Sequence, residues 1–92
     1  MAYWLLEYEV VADYVERRGE FRSAHLELAA AAHDRGDIVL AGAAGEPIDG
    51  AVLVFEGDDA SAAEAFAAAD PYVRNGLVTA WRVRPWHVVV GG

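Results

Sequence analysis

The sequence holds 92 residues, 55% of them apolar, with a net charge of −8 from 15 acidic and 7 basic side chains, the basic ones all arginine. That balance argues against nucleic acid as the main partner, because phosphate binding needs a basic patch; no apolar run nears the roughly 20 residues of a membrane span. Cysteine is absent, so disulfides, thiolate metal sites and cysteine nucleophiles are excluded.

One domain over residues 1–92 is expected at this length. A chain this short hides only about 60–65% of its unfolded surface when it folds alone. Its apolar share exceeds the roughly 45–50% of ordinary domains, and that excess needs cover. Met1-Ala2-Tyr3-Trp4 lacks a basic segment before its apolar residues, so no secretory signal is expected and the expected location is cytoplasmic. The acids are scattered through the chain, as on a solvated surface.

Tyr3 to Val10, rich in aromatic and β-branched residues, predicts a first strand. Asp13 to about Arg35 turns helical, with a weak point at Gly19 and a stop at Gly36-Asp37. Ile38 to Ala44 is a second strand, and the Asp49-Gly50 pair after Pro47 favours a hairpin into a third, Ala51 to Glu56. Ser61 and Glu64 have capping-box spacing before a second helix, Ala62 to Ala69. Asp70 to Gly76 reads as an irregular connection, and Leu77 to Val90 as a long last strand bent at Pro85.

The order is βαββαβ, an α+β ferredoxin-like arrangement of a four-stranded antiparallel sheet with two helices on one face. A sheet with one wet face should alternate apolar and polar residues. Ile38-Val39-Leu40-Ala41 and Ala51 to Phe55 do not alternate. Two helices cover only one face, so a second copy packing on the other, a homodimer through the sheet face, is expected.

On a helical wheel with Arg18 at zero, Ala31, Ala24, Leu28, Phe21 and Ala32 fall between about 220° and 320°, the face expected to pack on the sheet. Glu20, Glu27, Asp34 and Ser23 fall between about 140° and 200°, toward water. His25 lies at about 340°, on the shoulder of the buried face, with Arg18 and Arg22 beside it at about 0° and 40°. There an imidazole is half desolvated and still meets a ligand. Wheel geometry alone does not separate such a residue from a boundary histidine bonded to backbone. His33, beside Asp34 in the last helical turn, reads as structural, and His87 as a surface or interface residue. His25 and His33 are about 12 Å apart along a helix, too far to share a metal ion.

Asp70-Pro71-Tyr72 also reads two ways. Asp before Pro is a frequent helix N-cap with proline at the first helical position. A carboxylate at the tip of a connection can also reach the His25 imidazole, fixing its tautomer and raising the basicity of its other nitrogen. Ser23 lies about 160° around the helix from His25 and is not its nucleophile. Ala41-Gly42-Ala43-Ala44-Gly45 opens no helix and is no phosphate loop. Trp81, Trp86 and Tyr72 read as core or dimer-interface aromatics.

Five segments together resemble the YciI-like (YCII-related) family: Tyr3-Trp4-Leu5-Leu6-Glu7-Tyr8; Arg17-Arg18 with Arg22-x-x-His25-Leu26; Asp70-Pro71-Tyr72; Asn75-Gly76-Leu77-Val78; and Trp81-x-Val83-x-Pro85-Trp86. The resemblance spans nearly the whole chain. It implies a dimeric α+β barrel, similar in architecture to muconolactone isomerase, and an active-site pair carried here by His25 and Asp70. Elimination of a small leaving group from a chlorinated aromatic is one activity linked to the family. The expectation is therefore an acid–base enzyme without cofactor or metal, of the elimination or isomerisation type, acting on a small organic, cyclic or aromatic molecule. His25 and Asp70 would be catalytic, with Arg22, Arg18 and Tyr72 contacting the substrate. The alternative is a small-molecule-binding or accessory dimerisation domain with no turnover.

Overall fold

The computed structural model describes residues 2–91. Aromatic and branched side chains favour extended backbone, and Ala2–Val10 forms strand β1. The helical stretch breaks near Gly19, into α1 (Tyr14–Arg17), a 3-10 turn (Arg18–Glu20) and α2 (Arg22–Asp34). Ile38–Ala44 is β2, Gly50–Gly57 is β3, Ser61–Ala69 is α3, Pro71–Arg74 is α4 and Val78–Trp86 is β4. The four strands form one antiparallel sheet in the order β2-β3-β1-β4. Among the described residues no helix is long and apolar enough to cross a membrane.

Register sorts the side chains, because directly opposed residues share a face. Leu6 lies between Leu53 and Val83, and Tyr8 between Ala51 and Trp81. This face carries the core, where Leu6, Tyr8, Leu53 and Phe55 meet Ala32 of α2, Ala63 and Phe66 of α3, and Tyr72 of α4. On the opposite face Leu5 stands between Val54 and Arg84, and Glu7 between Val52 and Arg82. Arg82 and Arg84 both donate to Glu7 Oε1, at 3.1 and 2.6 Å. The bond from Arg84 leads in holding the Glu7 carboxyl below its ordinary value, against a smaller effect of burial.

Several local expectations are corrected. The register of β2 shifts between Ile38, opposite Phe55, and Leu40, opposite Val54. Such a bulge inserts one residue and turns Leu40 to the face away from the helices. The hairpin does not turn on Asp49-Gly50: Asp49 N–H closes on Ala44 O at 2.9 Å, Gly45 supplies a positive φ of 103°, and Gly50 belongs to β3. The capping box is absent, since Asp59 Oδ1, not Ser61, accepts the exposed amide at the start of α3 (2.9 Å to Ser61 N). The connection after Asp70 contains α4 and is not irregular. β4 stops at Trp86, because Trp86 pairs with Tyr3 and β1 begins at Ala2. Of the two alternatives for the aromatics, core or interface, Tyr72 takes the core, and Trp81 and Trp86 are exposed.

Gly45 offers a direct check on the hairpin. A Cβ there would meet Pro47 O at 2.7 Å and the Asp49 carboxylate closer still, at a φ that side chains rarely adopt. Gly45→Ala should cost about 1–3 kcal/mol in urea unfolding. Gly19→Ala, with nothing within 4 Å and no positive φ, should be neutral or stabilising by about 0.4–1 kcal/mol.

Candidate active site

Proline fixes where α3 ends. The residue before a proline is driven out of the helical region, and Asp70 is extended, at φ −64° and ψ 123°, with Pro71 at the first position of α4. Asp70 still serves both helices: its N–H donates to Phe66 O at 2.9 Å and its carbonyl accepts from Val73 and Arg74, each at 3.0 Å. The side chain is thereby aimed inward, and Asp70 is 0% exposed, the one buried charged residue among the described residues.

A buried carboxylate is costly unless hydrogen bonds replace its water. Asp70 has three, each from a different part of the chain. Tyr72 N–H donates to Oδ1 at 3.0 Å, capping α4. Tyr8 Oη donates to Oδ2 at 2.7 Å, from the middle of β1. His25 Nδ1 lies 2.9 Å from Oδ1. An ionised carboxylate only accepts, so Nδ1 carries the proton and the lone pair of the neutral ring is on Nε2. Burial first, then the adjacent Asp70 charge, push the Tyr8 hydroxyl far above its ordinary value, so it remains a donor.

The His25 ring is fixed on its other sides as well. Tyr72 stacks on it with ring centres 3.9 Å apart and planes 9° from parallel, and Phe66 meets it edge-on at 6.3 Å. Among the described residues, Tyr72 Oη is the one sealed side-chain nitrogen or oxygen without a partner. His25 Nε2, which makes no hydrogen bond among them, therefore keeps access to space. That space is a cavity of about 230 Å³ lined by Tyr14, Arg18, Arg22, His25, Leu26 and Tyr72 on the helix side. Ala41, Gly42, Ala43, Ala51 and Leu53 line it on the sheet side. The small residues of β2 and β3 leave the gap that α2 does not fill.

The charge in this cavity is opposite to that of the chain. No carboxylate lines it, while Arg18 and Arg22 do, and neither arginine forms an ion pair among the described residues. The Arg18 guanidinium lies 5.6 Å from the Tyr14 ring centre, and Tyr14 meets Tyr72 edge-on at 5.6 Å. Burial raises both tyrosine hydroxyls, with the Arg18 charge opposing it at Tyr14 and those of Arg22 and Arg18 opposing it at Tyr72. A larger cleft of about 510 Å³ lies along Glu7, Glu9, Asp49, Trp81 and Arg82. It shares only Ala51 with the first, and no histidine lines it among the described residues.

All five residues singled out in the sequence meet here, but not as the helical wheel placed them. The packed face of α2 comprises Phe21, His25, Leu28, Ala29 and Ala32, while Ala24 and Ala31 are exposed. His25 is thus near the middle of that face, not on its shoulder. Alanines add little apolar area, so the larger Phe21 and Leu28 decide the rotation. Tyr8, Tyr14 and Phe66 were missed. For Tyr8 the signal was a tyrosine at a core-facing strand position, where its hydroxyl needs a partner.

The comparisons with known proteins agree with this architecture. Residues 1–87 match the model of the YCII-related domain, and the chain belongs to that family. It is 35% identical over 89 residues to Protein YciI of Escherichia coli and to that of Shigella flexneri, covering 85% of this chain and 89% of each relative. Among solved structures it is similar to 5-chloro-2-hydroxyhydroquinone dehydrochlorinase of Burkholderia phenoliruptrix, in complex with 2,5-dihydroxybenzoquinone. The TM-score is 0.75 at 22% identity, over 92% of this chain and 93% of the other; this likeness shows the fold.

Asp70→Ala should remove the α4 cap, worth about 0.5–2 kcal/mol, and strand the buried Tyr8 hydroxyl, at about 1–3 kcal/mol. Urea unfolding should register a loss of about 1.5–5 kcal/mol. Asp70→Asn keeps an acceptor at the Oδ1 position and should lose clearly less.

Proposed function

We propose that this chain is a cofactor-independent acid–base enzyme of the elimination or isomerisation type, acting on a small cyclic or aromatic molecule with an anionic oxygen. The observation that carries the reading is the 2.9 Å contact between His25 Nδ1 and a fully buried Asp70, beside a cavity that Nε2 can reach. His25 takes a proton from the substrate at Nε2, and Asp70 holds the ring and stabilises the imidazolium that forms. Arg22 and Arg18 hold the oxyanion, and Tyr72 contributes an aromatic wall. In an elimination, the electron pair of the broken bond to hydrogen becomes a new π bond, and the leaving group departs with the electrons of its own bond. Positioned proton transfer of this kind contributes about 10²–10⁴-fold in rate.

The cavity suits one small ring. At about 230 Å³ it lies below the roughly 300–1,000 Å³ of most ligand pockets. The name of the structural neighbour describes a dehydrochlorinase of a chlorinated hydroquinone, which supports this substrate class as the first to test. Chloride release from 5-chloro-2-hydroxyhydroquinone provides the assay. His25→Ala and Asp70→Asn should each lower the rate about 100-fold or more while far-ultraviolet circular dichroism stays native. Full activity in both variants would sink the mechanism.

We further propose that two copies pack sheet face to sheet face. Leu5, Leu40, Val52, Val54 and Trp86 lie on the face away from the helices, with Leu40 63% and Trp86 47% exposed. The only described ionic cluster there, Glu7 with Arg82 and Arg84, offsets part of its own charge. Light scattering should give about twice the 9.9 kDa of one chain, and Leu40→Arg should shift the mass toward 9.9 kDa.

A second reading, a binding or accessory domain without turnover, draws on the fact that Asp70 caps α4 as well as meeting His25. Under it, the wild-type protein binds hydroquinone-class ligands, His25→Ala weakens that binding, and no assay detects product.

A further inference from the structure

We propose that Tyr8 is a positioning residue of the His25–Asp70 pair: from the sheet, its hydroxyl holds the Asp70 carboxylate so that Oδ1 faces the imidazole, and draws off part of its charge. The inference rests on the reading of His25 as the proton-moving group, but its test needs no substrate.

The geometry separates the two carboxylate oxygens. Oδ1 is shared by Tyr72 N–H and His25 Nδ1, at 3.0 and 2.9 Å. Oδ2 has one partner among the described residues, Tyr8 Oη at 2.7 Å, the short separation of a bond to a charged acceptor. Rotation of the carboxylate would break the Tyr8 bond and draw Oδ1 away from both of its donors. The anchor is firm: Tyr8 is 4% exposed and paired on both sides, opposite Ala51 of β3 and Trp81 of β4. A phenylalanine would fill the same core volume. The hydroxyl earns no packing advantage, and its one described contact is the carboxylate.

The effect reaches His25 through charge. Hydrogen bonds to a carboxylate spread its negative charge over the donors and weaken its pull on any one of them. With Oδ2 bonded to Tyr8, less charge is left to stabilise an imidazolium at Oδ1. Tyr8 therefore tunes His25 toward releasing its proton after each transfer. The other groups around His25 are Tyr14 from α1, Arg18 from the 3-10 turn, Arg22 from α2 itself and Tyr72 from α4. Phe66 from α3 and Ala41, Ala43, Ala51 and Leu53 from the sheet complete the surroundings. Asp70 is the one acid among them, so a change in its charge is read by His25 without a competing carboxylate.

The test is a titration of the three histidines by nuclear magnetic resonance in the full chain. Tyr8→Phe should raise the His25 pKa by about 0.5–1 unit relative to the wild type. His33 and His87, both exposed, should not move and serve as internal controls. In the Asp70→Asn background, where the charge is gone, Tyr8→Phe should leave His25 unmoved. An unchanged or lowered His25 pKa in a folded Tyr8→Phe protein overturns the proposal. If Tyr8→Phe alone does not fold, the Asp70→Asn/Tyr8→Phe double variant decides: its folding ties the hydroxyl to the buried charge, whereas its failure assigns Tyr8 to packing alone and overturns the proposal. Where chloride release is detected, Tyr8→Phe should lower kcat about tenfold with KM nearly unchanged. Loss of activity in His25→Ala together with an unmoved titration in Tyr8→Phe would leave the enzyme reading standing and remove Tyr8 from it.

Discussion

Everything around the cavity is organised by one buried negative charge. Asp70 has no exposed surface, and a carboxylate taken out of water without partners costs many kilocalories per mole or stays neutral. The fold meets that demand with a strand hydroxyl, a helix amide and an imidazole, from β1, α4 and α2. These elements are far apart in sequence, by 62 residues for Tyr8 and 45 for His25. The donors converge only once the sheet has formed and the helices have docked on its core face. The polar contact set is thus a product of the whole fold, and a local error in any of the three elements would leave a charge unpaired.

Proline makes this arrangement cheap to reach. Pro71 forces Asp70 out of the α3 helix and begins α4 at once. The backbone of Asp70 closes one helix and opens the next, so its side chain has little freedom left to lose when it binds its partners. The stack of Tyr72 on His25 follows from the same step, since Tyr72 is the residue whose amide the carboxylate caps. Cap and site are in this sense a single piece of chain, and a helix terminus that needs an acceptor supplies an acceptor for the histidine.

Element order was legible because β-branched and aromatic runs, glycine breaks and short connections act locally. The bounds of the hairpin strands and of α3 were read to within one residue, but Gly45 and Asp59 took the parts expected of Asp49-Gly50 and Ser61. In both cases two neighbouring residues had suitable chemistry and only tertiary pairing chose between them. The rotation of α2 was misread because a wheel counts alanine as apolar, whereas packing weighs area, and Phe21 and Leu28 outweigh Ala24 and Ala31. The wheel and the Asp-Pro pair marked His25 and Asp70 as candidates, and family resemblance joined them as a pair; spacing could not give their contact, and the fold supplies the distance. Tyr8 stayed unseen because a tyrosine in a strand is an ordinary core residue until its hydroxyl's partner is known.

The alanines and glycine of β2 show how a site can be written by what is missing. Ala41-Gly42-Ala43 carries no chemistry and reads as filler, yet with Ala51 these residues line the sheet side of the cavity. Larger side chains there would close the space that Nε2 reaches. Arg18 and Arg22 at its border form no ion pair among the described residues, in a chain whose net charge is −8. Acids elsewhere are plentiful and long side chains are mobile, so leaving both arginines unpaired beside an acid-free cavity costs attraction that a different arrangement would recover. On the proposed function, a bound oxyanion restores it, and the imidazole nitrogen, the aromatic wall and the cations are already in place before any ligand arrives.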